Sequence, residues 1–172
     1  MTLDNKLAGI RLLLLDVDGV LTDGGITYND EGIETKTFSV KDGLGIRLLM
    51  DAGIRVGIVT GRRAGALAHR CENLGIDLLL HGISDKGAAL SGICEKTGTR
   101  PPEIAFMGDD LPDLPIMKRV GLSIAVADAS PEVRSAADLV TEARGGRGAV
   151  REVAERLLKA AGKWDAVLER FA

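Results

Sequence analysis

The chain has 172 residues, 45% of them apolar, and a formal charge of −3 from interspersed acids and bases. That length and apolar content describe one globular domain over 1–172 rather than a disordered segment, and the mixed charge leaves no basic footprint for nucleic acid or anionic lipid. No run reaches the roughly 18 apolar residues of a membrane span, Met1–Lys6 lacks the apolar core of a signal peptide, and Cys71 and Cys94 have no metal-type spacing, so a soluble cytoplasmic protein with reduced thiols is expected.

In chain order, the first element is a strand over Arg11–Asp16, built on the apolar run Leu12–Leu15 and continuing into Asp16-Val17-Asp18-Gly19-Val20-Leu21-Thr22. A buried strand ending in two carboxylates two residues apart presents both at the rim where an open α/β sheet binds its ligand, which suggests Asp16 as nucleophile and Asp18 as general acid/base. Two β-rich runs, Gly25–Tyr28 and Ile33–Ser39, flank the turn-forming Asn29-Asp30-Glu31-Gly32 and predict a hairpin over about 24–40, hanging over the catalytic end. A helix over Gly43–Ala52 leads to a strand over Arg55–Thr60, after which Thr60-Gly61-Arg62 supplies a hydroxyl and a cation. A helix over Ala64–Leu74 and a strand over Leu78–Leu80 precede Ser84-Asp85-Lys86-Gly87. There Lys86 opens a helix over Lys86–Thr97, a position the helix dipole disfavours for a cation, so it is expected to meet an anion. A strand over Ile104–Met107 runs into Gly108-Asp109-Asp110-Leu111-Pro112-Asp113, whose hard oxygens suit Mg²⁺. A helix over Leu111–Val120 and a strand over Leu122–Val126 follow, with Gly53, Gly75, Gly98 and Gly121 read as helix C-caps. Beyond the Gly/Arg-dense stretch Arg144–Gly148, Val150, Val153, Ala154, Leu157, Leu158 and Ala161 make one apolar stripe of a final helix. The tail, about 162–172, carries Trp164, Val167, Leu168 and Phe171 and reads either as a frayed helix or as a segment docking on a neighbouring subunit.

Strands alternating with helices in this way predict a doubly wound parallel sheet, Rossmann-like, with helices on both faces. Each polar piece has an ordinary structural use by itself: aspartates cap and turn, Thr-Gly-Arg turns, a lone lysine faces solvent. Their ordered recurrence at successive strand ends argues for a site instead.

That ordered set, Asp-x-Asp-x-(Val/Thr), then Thr60, Lys86 and the acidic Gly108–Asp113 run, resembles the haloacid dehalogenase superfamily of phosphohydrolases over nearly the whole chain. The hairpin in place of a cap domain, with Lys41–Arg47, Thr60-Gly61-Arg62, Arg70-Cys71, Val126–Ala129 and Gly145–Glu152, is similar to a branch of that superfamily acting on an eight-carbon keto-deoxy sugar phosphate. The resemblance implies a Mg²⁺-dependent phosphomonoesterase passing through an aspartyl-phosphate. Its catalytic residues would be Asp16, Asp18, Thr60 and Lys86, and its metal would lie on Asp16, the Asp18 backbone carbonyl and Asp109. Asp110 is given an orienting role; Asp113 either orients Lys86 or caps a helix. For the substrate, Gly61, Arg62, Arg70 and Arg147 are the candidates, since a guanidinium fork suits a planar carboxylate. His69 and His81 are left as structural. The resemblance also implies a homotetramer whose hairpins form a central barrel, with one subunit's hairpin or tail closing its neighbour's site.

Three other readings stand beside it. A phosphatase for nine-carbon keto-deoxy sugar phosphates would depart from Thr-Gly-Arg, which this chain keeps. A signalling receiver domain gains nothing from Asp18, a general acid that hastens its own dephosphorylation. A catalytically idle assembly module has no need of every catalytic residue type.

Overall fold

The computed structural model describes residues 2–172. Six strands form one parallel sheet in the order β5-β4-β1-β6-β7-β8, comprising β1 (Leu12–Leu15), β4 (Arg55–Thr60), β5 (Leu78–His81), β6 (Ile104–Gly108), β7 (Leu122–Ala125) and β8 (Leu139–Val140). All four leucines of β1 are fully buried because β1 is central and covered on both faces, which is why its sequence is a continuous apolar run and not an alternation. Leu12 pairs with Arg55 on one side and Ile104 on the other, so the chain reverses its direction of travel across the sheet at β1. At such a reversal the loops leaving two adjacent strands part, and the crevice between them lies at the carboxyl ends of β1 and β6.

The helices are α1 (Leu3–Ala8), α2 (Val40–Asp51), α3 (Gly65–Leu74), α4 (Lys86–Thr97), α5 (Leu114–Met117), α6 (Pro131–Ala136), α7 (Ala149–Ala160) and α8 (Trp164–Glu169). The apolar stripe of α7 is buried along its length, from Ala149 to Leu158. Its N-terminus is capped from a distance: buried Asp42 on α2 accepts from the backbone N–H of Arg151 at 2.8 Å and of Gly148 at 3.3 Å. Asp42→Ala is expected to strand those two donors and cost about 2 kcal/mol, a loss of about 4–8 °C in Tm by circular dichroism.

Strand and helix positions follow the sequence reading closely, with β4 and α4 matching at both ends. Three differences have physical causes. The expected helix over Leu111–Val120 is a 3₁₀ turn over Leu111–Asp113 followed by α5 alone, because Pro112 and Pro115 remove backbone donors in mid-segment. Gly121 is not a left-handed cap as Gly53, Gly75 and Gly98 are; its missing Cβ makes room for the backbone of Pro102. α1, α6 and β8 were not anticipated, each being only two to six residues long.

The hairpin forms as expected but is shorter, β2 (Thr27–Tyr28) antiparallel to β3 (Glu34–Thr35), with Asn29 Oδ1 accepting from the Ile33 and Glu31 amides across the turn. The tail is neither frayed nor free. It forms α8 against its own chain, with Val167 buried, Lys163 Nζ donating to the Ala52 carbonyl and Arg170 paired with Asp51 at 3.1 Å. Leu168 and Phe171 stay exposed.

Candidate active site

Asp16 is the residue immediately after β1, and its amide still donates to the Met107 carbonyl of β6 at 3.0 Å, so the sheet itself holds its backbone. The chain then turns sharply, with the Leu21 and Thr22 amides both directed at the Val17 carbonyl and Gly19 in the left-handed region at φ 92°. Gly19 lies against the Asp109 carboxylate, where a Cβ would collide with it. The Gly-rich loop braces this turn from behind: Gly146 donates to the Val20 carbonyl at 2.8 Å, Gly145 donates to Asp128 at 3.0 Å, and a side chain at Gly145 would strike the Gly19 carbonyl. Gly145 and Gly146 therefore permit backbone-to-backbone contact with the loop that carries Asp16 and Asp18.

A cleft of about 440 Å³ opens there, lined among others by Asp16, Asp18, Thr60, Arg62, Lys86 and Asp109. Gly61 lies on its wall, as do Asp110 and Asp113. Lys86, buried at the start of α4, donates to Asp16 Oδ1 and to Asp113 Oδ1, each at 2.6 Å. The cation that the helix dipole disfavours thus has two carboxylates as partners. Burial opposes the Lys86 charge, yet Asp16 and Asp113 outweigh it and its pKa is raised. Of the two uses weighed for Asp113, orienting Lys86 falls to one oxygen, while the other accepts from the Asp109 amide at 2.9 Å and from the Asp110 amide at 3.4 Å, closing a capping box on the 3₁₀ turn but making no cap bond to α5. Asp110 is exposed and caps the following turn, accepting from the Leu111 amide at 2.8 Å. Thr60, buried at the end of β4, lines the same cleft, and its hydroxyl oxygen accepts from the Arg62 amide at 3.3 Å.

Asp16, Asp109 and Asp113 each place an oxygen within 4.8 Å of the others. One lysine does not balance three carboxylates. Burial, then Asp16, Asp113 and Asp110, push the Asp109 carboxyl up to about 8, and burial with Asp113 pushes Asp16 up to about 6 against the pull of Lys86. A cluster of hard oxygens short of positive charge fits a divalent cation of the Mg²⁺ type. The Asp18 carboxylate is not in this cluster; it is turned toward Lys36 and Arg62.

Of the arginines, only Arg62 faces the cleft, with Nε 3.5 Å from Asp18 and Nη2 on Glu34 and 3.4 Å from the Tyr28 hydroxyl. Arg70 and Arg147 do not reach the cleft of their own chain. α3 aims Arg70 at the Ser39 carbonyl, at 3.2 Å, and over the Phe38 ring, while Arg147 extends outward to Asp23 at 3.2 Å. His69 and His81 are on the surface, and both cysteines are free thiols. Sequence reasoning missed Lys36, Glu34 and Asp42. In a polar hairpin strand Lys36 and Glu34 look like solvated edge residues, and nothing local marks Asp42 as a distant cap.

The doubly wound sheet with a strand-end Asp16, an Asp18 two residues on and a Lys86-bridged acidic cluster defines a phosphoryl-transfer hydrolase, and a family described as haloacid dehalogenase-like hydrolase matches residues 79–152. The 3-deoxy-D-manno-octulosonate 8-phosphate phosphatase of Escherichia coli K12 is 52% identical over 160 residues, covering 93% of this chain and 85% of the relative. The crystal structure of the Moraxella catarrhalis phosphatase of the same name, in complex with magnesium, phosphate and KDO, superposes with a TM-score of 0.96 at 43% identity, covering 98% of this chain and 97% of the other. The Yersinia pestis phosphatase does so with a TM-score of 0.93 at 48% identity, covering 94% and 88%. The chain belongs to the 3-deoxy-D-manno-octulosonate 8-phosphate phosphatase family.

Proposed function

We propose that this chain is a Mg²⁺-dependent phosphomonoesterase that hydrolyses KDO 8-phosphate to KDO and phosphate, in the synthesis of a lipopolysaccharide precursor. The observation that carries the chemistry is the buried Asp16–Lys86–Asp113 arrangement beside Asp109. The substrate comes from the family, supported by the Thr60-Gly61-Arg62 run at the cleft wall. A single domain over 1–172 is consistent with one continuous core running from Leu7 to Val167.

Asp16 attacks phosphorus, forming an O–P bond as the bond to the sugar oxygen breaks, and Asp18 gives its proton to that departing alkoxide. Asp18 then takes a proton from the water that attacks the aspartyl-phosphate, and Asp16 leaves as a carboxylate. Lys86 and the Thr60 hydroxyl hold the phosphoryl oxygens in place through both steps. Asp16, the Asp18 carbonyl and Asp109 would hold Mg²⁺, which when bound supplies the positive charge that the three carboxylates lack and that the transferring phosphoryl group requires. Arg62 meets the substrate carboxylate or hydroxyls. Arg70 and Arg147 point away from their own cleft, so any contact with substrate is made across a subunit boundary in a homotetramer. Exposed Ile26, Tyr28 and Ile33 on the hairpin and Val40 and Leu44 on α2 are apolar surface suited to such packing. A cytoplasmic location belongs to this proposal through the likeness to the KDO 8-phosphate phosphatases; among the described residues no helix is long and apolar enough to cross a membrane.

Phosphate release from a panel of sugar phosphates, with Mg²⁺ and with EDTA, tests the reading. Metal-dependent release strongly favouring KDO 8-phosphate is expected. Release spread evenly over the panel, or favouring nine-carbon analogues, would overturn the substrate and keep the chemistry; metal binding without release would point to an assembly module.

A further inference from the structure

The hairpin meets two side chains that line the catalytic cleft, Lys36 reaching Asp18 and Glu34 reaching Arg62. Its strands are largely exposed, yet the Lys36 side chain is only 2% exposed, with Nζ on Asp18 Oδ1 and 2.7 Å from Glu34 Oε1. Glu34 in turn accepts from Arg62, whose Nε faces the other Asp18 oxygen at 3.5 Å. Asp18, Lys36, Glu34 and Arg62 thus close a ring of alternating charge at the cleft mouth. Among the described residues Lys36 is the one hydrogen-bond donor to the Asp18 carboxylate, and no backbone amide helps to hold it. A lysine withdrawn this far from water loses hydration that only its carboxylate partners restore.

We propose that Lys36 is a positioning residue for Asp18, fixing its carboxylate over the cleft and away from the Asp16–Asp109–Asp113 cluster. The inference rests on the reading of Asp18 as the group that moves protons in both half-reactions. A group serving two steps must keep one geometry through both, and a misplacement of about 1 Å can cost on the order of 10²-fold in rate. The hairpin, which follows the Asp16–Asp18 loop in the chain, is through Lys36 part of the site's alignment.

The test is a double-mutant cycle with Lys36→Met, Asp18→Asn and the pair, measured with KDO 8-phosphate at saturating Mg²⁺ and, for slow variants, in single turnover with enzyme in excess. Lys36→Met is expected to lower kcat about 10–100-fold with KM held within about threefold, and Lys36→Arg to recover part of the loss. In the Asp18→Asn background the same change should alter the rate by less than about twofold. An unchanged kcat, a raised KM at unchanged kcat, or an equal loss in both backgrounds would overturn the role. Melting curves check folding, and if Lys36→Met does not fold, Lys36→Gln carries the same comparison. Wild-type turnover run alongside separates two failures: an inactive wild type overturns the activity and this role together, whereas an active wild type with unimpaired Lys36→Met overturns only the role.

Discussion

Asp16→Asn is expected to remove phosphate release, by at least about 10⁴-fold, without unfolding the protein. An amide of the same shape keeps the backbone bond to Met107 and an oxygen for Lys86, but it carries no anionic nucleophile. Folding survives because the substitution subtracts one charge from a buried cluster in which Asp109 and Asp113 already crowd a single lysine. Lys86 keeps its pair with Asp113, so no buried cation is left alone. Phosphate release and a thermal melt on the same sample decide the matter, with intact-mass analysis of a rapidly quenched wild-type reaction to detect the aspartyl-phosphate. Substantial residual turnover in Asp16→Asn would remove Asp16 as nucleophile.

Lys86→Met strikes both stability and chemistry. The side chain is buried and joins two carboxylates 97 residues apart in sequence, so its removal leaves Asp16 and Asp113 facing each other with Asp109 close by. Breaking a buried ion pair from one side costs about 3–5 kcal/mol, which for a domain of this size lowers Tm by about 6–20 °C. Loss of a preorganised cation at the phosphoryl oxygens costs a further 10²–10³-fold or so in kcat. The two effects separate on adding Mg²⁺: a divalent ion bound at the carboxylates should return part of the lost Tm by mass action, while turnover stays low because the ion cannot occupy the position of the Lys86 ammonium. A variant that melts and turns over like wild type would show that Lys86 neutralises nothing of consequence.

Much of this site was legible along the chain because the fold writes its chemistry at strand ends. Asp16, Thr60, Lys86 and Asp109 each follow a short apolar run, and a parallel sheet brings those ends to one edge whatever the details of packing. The hairpin was legible as a hairpin, from its turn quartet and β-rich flanks, but not as a contributor of Lys36. Arg70 and Arg147, candidates by motif position, are turned from the cleft of their own chain by the orientation of α3 and of the Gly-rich loop, which no local signal fixes. The tail's apolar residues are accounted for in part by packing on their own chain through Val167, while Leu168 and Phe171 stay exposed.

Local sequence, then, determined where most strands and helices run, the all-apolar character of β1 and the carboxylate pair at its end, because apolar periodicity and cap residues act over a few positions and need no distant partner. Tertiary structure alone decided that Asp113 and Asp16 share Lys86, that Asp42 caps a helix more than a hundred residues away, and that Lys36 meets Asp18. Each of these is a charge meeting a partner across the fold, and a buried charge takes its role from whichever counter-charge the chain's path brings within hydrogen-bonding distance.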